Sequence, residues 1–244
     1  SDFEALLHLG IATDTQDMSG TVTAEAPVTV TEEEVRDCIA SFVGEQQQVP
    51  PMYSAVKVNG KKLYELARAG KEVERQARQV QILEIRVDKV VLPRVWMTVT
   101  CSKGTYIRTL CHDIGGKLGC GGCMEHLTRT RVDRFDIKDS LRLDEIERIR
   151  DEGGLDTCIL PVETALEGYA GLKVLPEADA FLYNGNPCFK GQLDAGDGCL
   201  DGLEDGLRFR MYDSKGHFVG VYEYQDSRHW WKPWKMFLAA PEHT

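Results

Sequence analysis

Between Val95 and Leu118 the chain reads VWMTVTCSKGTYIRTLCHDIGGKL, and the spacing of its apolar residues changes partway along. Up to Cys101 they occupy every second position (Val95, Met97, Val99, Cys101), the pattern of a half-buried strand. From Ile107 they recur as Ile107, Leu110, Cys111, Ile114 and Leu118, one stripe of a helix that Gly119 ends. The stretch CSKGTYIRTL, Cys101 to Leu110, is therefore predicted to be a strand-to-helix turn. A helix N-terminus exposes unpaired N–H groups and the positive end of the helix dipole, so Gly104-Thr105-Tyr106 favours an anion. Arg108 lies one turn in, where its planar fork can hold a carboxylate or phosphate through two parallel hydrogen bonds. Tyr106 offers a face for stacking, and Lys103 adds a second cation. An ordinary capped core helix with one surface arginine explains the same letters, so the turn alone does not fix a function.

Outward from this turn, the apolar residues from Val80 to Val91 roughly alternate, and Pro93 and Arg94 mark a bend, which predicts an antiparallel strand pair. Thr31 and Glu34 form a capping box ahead of Val35, Ile39 and Phe42, predicting a helix from Thr31 to Val43 with Gly44 as its stop. Pro50 and Pro51 forbid helix and favour extended chain. Residues 53–79 form a basic excursion with Lys57, Lys61, Lys62, Arg68, Lys71, Arg75 and Arg78. Within it Asn59-Gly60 marks a turn, Leu63, Leu66 and Ala67 a short helix, and Gly70 a stop. A further short helix is predicted around Asp144 to Arg150, closed by Gly153-Gly154. Beyond Tyr169 the character shifts to short strands. RFRMY and HFVGVYEY, joined by Asp213-Ser-Lys-Gly216, read as a hairpin, and Trp230, Trp231 and Trp234 are expected to fill a small core, with stacking on nucleotides as the alternative. These elements predict an α/β protein of the α+β type: a mixed, largely antiparallel sheet with flanking helices in residues 1–168, and a small β-rich module in 169–244.

The 244 residues carry a net charge of −10, unevenly spread. Residues 1–52 hold one Lys or Arg against ten Asp and Glu, residues 53–135 sixteen against eight, and residues 136–244 twelve against twenty-one. A basic middle between acidic ends suggests a local anion-binding face. No apolar run approaches the roughly 20 residues a membrane helix needs, so no membrane partner is expected. The eight cysteines, at 38, 101, 111, 120, 123, 158, 188 and 199, are scattered, which fits a reducing cytoplasm. Cys120-Gly-Gly-Cys123 has zinc-knuckle spacing, with Cys111-His112 upstream. A structural zinc site needs a second close ligand pair, however, and Cys111 belongs to the apolar helix face, so no metal site is expected.

Four ordered stretches then resemble one family. LGIATDTQDMSG (Leu9 to Gly20), QVPPMYSAVKVNGKKLYELARAGKEVER (from Gln48), CSKGTYIRTL and LGCGGCMEHLTRTRVDRF (Leu118 to Phe135) resemble, in order and spacing, the bacterial tRNA pseudouridine synthase B (TruB) family. The resemblance runs over residues 1–166, and the tail resembles that family's small PUA-type RNA-binding module. It implies isomerisation of the uridine that opens the TψC sequence in the T loop of tRNA, with no metal or organic cofactor. The base is flipped out, an aspartate acts on the glycosidic bond, and the detached uracil turns and reattaches through carbon 5. By position, Tyr106 resembles the tyrosine that packs against the target base. Arg108 resembles the arginine that pairs with the catalytic aspartate, and Asp17 a second acid that positions this arginine; an Asx-type turn before Gly20 also explains Asp17. Phe3 falls where the family has a stacking tyrosine, and Leu127 matches an apolar residue of the uracil pocket. The segment 53–79, with Lys57, Lys61, Lys62 and Arg68, resembles the thumb loop that grips the T arm. The implied partner is the T arm of tRNA, met by a monomer.

The chain also departs from the family. The catalytic aspartate belongs to a glycine-rich GTLDP-type motif upstream of the TDTQD stretch, and these 244 residues contain no such motif. The expectation is an N-terminally incomplete enzyme, in which the strand leading into Leu9 lacks sheet neighbours. The alternative is a catalytically incomplete tRNA-binding chaperone. Asp14 is a conceivable replacement nucleophile, but a turn position gives no sign of the required orientation.

Overall fold

The alternating stretch forms a strand, Arg94–Cys101, and the stripe after it a helix, Ile107–Lys117, as their periods require. Both belong to the first of two units, Ser1–Leu141, in a computed structural model that describes residues 1–195 and 200–237. In chain order this unit comprises β1 (Asp2–Leu9), β2 (Ile11–Thr13), β3 (Val22–Glu25), α1 (Glu32–Ala40), β4 (Gly44–Gln48), β5 (Lys57–Val58), β6 (Lys61–Lys62), α2 (Leu63–Arg68), β7 (Arg78–Val91), β8 (Arg94–Cys101), α3 (Ile107–Lys117), β9 (Gly122–Val132) and β10 (Phe135–Asp136). Six of the strands form one sheet in the order β10-β9-β1-β8-β7-β4, antiparallel throughout.

One face of this sheet is the core. Phe3, Ala5 and Leu7 of β1 and Val95, Met97 and Val99 of β8 are buried with Ile107, Leu110 and Ile114 of α3 and Val35 and Ile39 of α1. Burying each large apolar side chain stabilises the unit by about 1.5–3 kcal/mol before entropy is counted. α3 approaches β9 so closely that a Cβ on Gly115 would strike the backbone of Gly121 and Gly122. The helix entered by this turn is thus set directly against the sheet.

The capping box forms as expected, with Glu34 N–H donating to Thr31 Oγ1 and Thr31 N–H to Glu34 Oε2. α1 nevertheless ends at Ala40, and Gly44, at φ +111°, opens a strand rather than stopping a helix. The imperfect alternation from Val80 has a cause: β7 shifts register against β8 at Ile82/Glu84 and again at Val87/Lys89. Asn59 (φ 50°) and Gly60 (φ 82°) make the left-handed turn between β5 and β6, and Gly70 (φ 69°) follows α2. One expectation is corrected. β1 is not short of neighbours but lies inside the sheet, paired with β8 on one side and β9 on the other.

The second unit, Arg142–Thr244, begins with α4 (Leu143–Asp151) and continues through β11 (Ala170–Lys173), α5 (Asp179–Tyr183), β12 (Cys188–Phe189), β13 (Arg208–Tyr212), β14 (Phe218–Gln225) and β15 (Trp230–Met236). Its sheet runs β11-β13-β14-β15-β12, with β11 and β13 parallel and the other pairs antiparallel. The expected hairpin is present as β13–β14. The boundary expected at 168/169 falls inside this unit, where its sheet begins. Of the three tryptophans, Trp231 fills the core beside Phe209 and Tyr224, whereas Trp234 is 50% exposed and the core expectation fails for it. No helix among the described residues is long and apolar enough to cross a membrane.

Candidate active site

The turn at Cys101–Tyr106 is built by Gly104, whose φ of +89° reverses the chain, and by Thr105 Oγ1, which donates to the Ser102 carbonyl at 2.9 Å. Lys103 stands exposed at its tip. Tyr106 caps α3 without a side-chain bond of its own. Its backbone is held instead by Gln48 at the end of β4: Tyr106 N–H donates to Gln48 Oε1 at 2.8 Å, and Gln48 Nε2 donates to the Tyr106 carbonyl at 3.0 Å. This pair of bonds makes the buried Gln48 a peptide-like partner for the first residue of the helix.

From α3, Arg108 reaches three acceptors. Nη1 donates to Asp17 Oδ2 at 3.1 Å and to the Thr15 carbonyl at 3.2 Å, and Nη2 donates to the Tyr53 carbonyl at 2.8 Å. The Arg108 and Asp17 side chains are 22% and 17% exposed, so solvent screens the pair only in part. Among the described residues no acceptor faces the Arg108 Nε–H. The other carboxylate oxygen, Asp17 Oδ1, accepts from Thr15 Oγ1 at 2.9 Å, from the Ser19 N–H at 3.0 Å and from the Ser19 hydroxyl. One oxygen of Asp17 thus closes an Asx-type turn, and the other meets the arginine. Burial pushes the Asp17 carboxyl up, but the Ser19 and Thr15 hydroxyls, the Ser19 N–H and the Arg108 charge outweigh it and hold it below the usual carboxylate range.

The remaining expected positions are placed as follows. Phe3 is 5% exposed, and the guanidinium of Arg129, its partner across β1 and β9, lies over its ring at 5.0 Å. Leu127 sits two residues along β9 on the same face, opposite Ala5, and is 36% exposed. Asp14 accepts the Thr21 N–H at 2.7 Å, and no hydrogen bond joins it to Arg108. In the basic segment, Lys57 and Lys61 are exposed on the β5–β6 hairpin. Lys62 and Arg68 both lie over the Tyr64 ring, at 5.4 and 5.5 Å. The same segment lines a cavity of about 450 Å³, with Pro50, Val56, Lys57, Leu63, Arg75 and Arg78 among its walls.

Sequence reasoning missed Gln48, the Tyr53 carbonyl, Arg129, and the bond from Thr109 Oγ1 to Gln16 Oε1 at 2.7 Å. All of these residues lie within the stretches that resemble the family, but no local pattern marked the contacts they make. Among the described residues no cluster of three His, Cys, Asp or Glu is placed to hold a metal ion. Cys111 and Cys123 are fully buried, and burial pushes both thiols up, the Cys123 thiol to about 11.

The architecture is shared with known proteins. Residues 2–107 match the family model described as TruB family pseudouridylate synthase (N terminal domain), and residues 108–167 match that of the tRNA pseudouridylate synthase B C-terminal domain. A tRNA pseudouridine synthase B of Lachnoclostridium phytofermentans is 43% identical over 211 residues, which cover 82% of this chain and 67% of the relative. That of Clostridium tetani is 46% identical over 185 residues, covering 75% and 63%. The chain thus spans about two thirds of the length of these curated relatives. Among solved structures, one chain of an H/ACA RNP bound to a substrate RNA containing 2'-deoxyuridine superimposes with a TM-score of 0.65 at 20% identity, over 97% of this chain and 65% of its own. A chain of a Cbf5-Nop10-Gar1 complex does so at 0.65 and 23%, over 98% and 66%. At such identities the likeness concerns the fold, while the family models and the closer relatives establish descent: the chain belongs to the TruB family of pseudouridylate synthases.

Proposed function

We propose that this chain carries the greater part of a tRNA pseudouridine synthase that converts the uridine opening the TψC sequence of the T loop to pseudouridine. The C1′–N1 bond breaks, the uracil turns, a C1′–C5 bond forms, and N1 gains a proton as C5 loses one, so substrate and product are isomers. No metal or organic cofactor is needed for that balance. The observation that carries the reading is the Arg108–Asp17 pair. A guanidinium anchored on three sides keeps its Nε–H for a further carboxylate, the group that must act on the glycosidic bond.

In this reading Tyr106 and Phe3 hold the flipped uracil between them, Arg129 swings away from the Phe3 ring to admit it, and Leu127 lines the pocket. Lys57, Lys61, Lys62, Arg68 and Lys103 meet phosphates of the T arm, the partner that the basic middle of an acidic chain suits. The unpaired thiols of the seven described cysteines fit a cytoplasmic protein, and the enzyme acts as a monomer.

The test uses unmodified tRNA transcripts and maps pseudouridine by carbodiimide adducts that stop reverse transcription. The 244-residue chain is compared with the same chain preceded by the aspartate-bearing segment of a relative, after its thermal transition shows it to be folded. Both should bind tRNA, and the extended chain should convert the T-loop uridine. Conversion of a different uridine, or none by the folded extended chain, refutes the proposal. Turnover by the 244 residues alone would place the nucleophile among their own carboxylates.

A further inference from the structure

The turn after β2 brings two acceptors onto a single nitrogen. Arg108 Nη1 donates to the Thr15 carbonyl at 3.2 Å and to Asp17 Oδ2 at 3.1 Å, groups that belong to the residues on either side of Gln16. In extended chain a carbonyl points sideways, within the sheet, while the side chain two residues on stands out of it, so the two do not converge. Here Gln16 bends the chain between them. Its φ of 64° is left-handed, a conformation that Gly, Asn and Asp visit far more readily than glutamine does.

Three bonds hold that bend. The Gln16 N–H donates to the Thr13 carbonyl at 3.1 Å, and the Met124 N–H of β9 donates to the Gln16 carbonyl at 3.0 Å. The third runs through the side chain, whose Oε1 accepts from Thr109 Oγ1 at 2.7 Å. Thr109 follows Arg108 in α3 and is 2% exposed. A threonine inside a helix ordinarily turns its hydroxyl to the carbonyl four residues back or to solvent, whereas this one reaches a residue 93 positions away. Gln16–Thr109 thus runs beside Asp17–Arg108, joining successive residues of the turn to successive residues of the helix. Asparagine would suit the bend better but is one methylene too short to reach Thr109, so glutamine trades backbone ease for this bond. A plain tie between turn and helix would not call for that exchange next to Asp17.

We infer that Gln16, held by Thr109, is a positioning residue: it fixes the bend that makes the Thr15 carbonyl and the Asp17 carboxylate converge on Arg108, and so aims the guanidinium. The inference deepens the proposed function, and only its last step, from aim to turnover, rests on that reading.

The first readout needs no turnover. Urea denaturation of the 244-residue chain gives the coupling between Asp17 and Arg108 from the parent, Asp17→Asn, Arg108→Met and their double variant, and the cycle is repeated in Thr109→Val and Gln16→Asn backgrounds. Either background should cut the coupling to less than about half, whereas Thr109→Ser, which keeps the hydroxyl, should retain it. Gln16→Asn lies on the turn side of the bond and serves if Thr109→Val does not fold. The second readout is single-turnover conversion of the T-loop uridine by the chain extended with a relative's aspartate-bearing segment. Thr109→Val and Gln16→Asn should each slow it about tenfold, short of the ~100-fold that a 1 Å misplacement costs, with tRNA affinity kept within about twofold. Gln16→Ala loses the bond and suits the bend least, so it should be slowest. Full coupling in both backgrounds overturns the inference, and so does a loss of tRNA affinity as large as the loss of rate. Lowered stability with coupling and rate intact would reduce the bond to an ordinary tie between turn and helix, which also overturns it. If the extended parent converts no T-loop uridine, the enzymatic reading fails, and the coupling alone decides the role of Gln16.

Discussion

Replacing Asp17 by Asn keeps shape and volume and removes one charge, which isolates what the carboxylate does for Arg108. Oδ1 accepts three hydrogen bonds, from Thr15 Oγ1, the Ser19 N–H and the Ser19 hydroxyl, while Oδ2 accepts one from Arg108. An amide has one accepting end. With its oxygen toward Ser19, its NH₂ group faces the Arg108 N–H donor; turned the other way, three donors lose their acceptor. Either orientation forfeits a charge-assisted bond, worth about 1.5–3 kcal/mol, and leaves at least one donor against a donor. The two side chains keep about a fifth of their exposure, so solvent offsets part of this, and the expected loss at neutral pH is about 2 kcal/mol. Arg108 still has the Thr15 and Tyr53 carbonyls, so the first unit should remain folded.

Urea denaturation of parent, Asp17→Asn, Arg108→Met and the double variant measures this, with a coupling of roughly 1–2 kcal/mol expected between neighbours in one network. The pH dependence supplies an independent sign. Because the folded pKa of Asp17 lies below its unfolded value near 3.9, its contribution is complete above that pH and is lost as the pH falls through the folded value. The acid limb of the parent should therefore flatten in Asp17→Asn. Equal stability of parent and Asp17→Asn at pH 7, or a coupling near zero, would refute the view that this carboxylate orients the arginine.

Gln48→Ala removes both bonds to the Tyr106 backbone and should cost about 1–3 kcal/mol, while Gln48→Glu keeps one acceptor but sets a buried carboxylate oxygen against the Tyr106 carbonyl and should cost at least as much; thermal transitions decide. Gly115→Ala drives a methyl into the Gly121–Gly122 backbone, and overpacking of about 1–3 kcal/mol should show as a lowered urea midpoint with an unchanged slope. Neutralising Lys61 and Lys62 together should weaken T-arm binding and reduce its salt slope by about 1.8, measured by filter binding across a salt series. In the second unit the Asp213 carboxyl is pushed up by burial but pulled down to about 2 by the Tyr183 hydroxyl and by the His217 N–H and ring. Its stabilisation is full above about 3.9 and is lost as the pH falls from there through about 2, so Asp213→Asn should flatten the acid unfolding of that unit.

The sheet and helices were legible wherever one face is apolar and the other is not. β8 and α3 alternate cleanly because each packs one side only, and Thr31 with Glu34 announces α1 through bonds local to four residues. β4 was not legible: GEQQQ has no apolar member, and its strand character comes from pairing with β7. β9 was hidden for a related reason. Its apolar residues do not alternate, and Gly122 is a strand residue kept small by the close approach of α3. Arg108 and Asp17 could be named in advance because a family resemblance links positions 91 residues apart; nothing local does. Gln48 could not, since its role depends on a side chain acting as a peptide toward a residue 58 positions away. Phe3 was expected as an open stacking face, and only the β1–β9 register shows that Arg129 lies over it.

A single guanidinium therefore joins pieces of chain that the sequence keeps apart. Arg108 belongs to α3, Thr15 and Asp17 to the turn after β2, and Tyr53 opens the basic segment that carries Lys57, Lys61, Lys62 and Arg68. Gln48, five residues before Tyr53, fixes the start of the same helix. The root of the basic segment is thereby tied at two points to the helix that presents Arg108. A displacement of that root large enough to break the Tyr53 contact removes one of the three acceptors that aim the fork, and the loss of Gln48 frees the peptide from which the helix starts. In the proposed function, grip on the RNA and aim of the arginine are one mechanical problem, met at Tyr53 and Gln48 rather than at any residue whose charge or ring would have drawn notice.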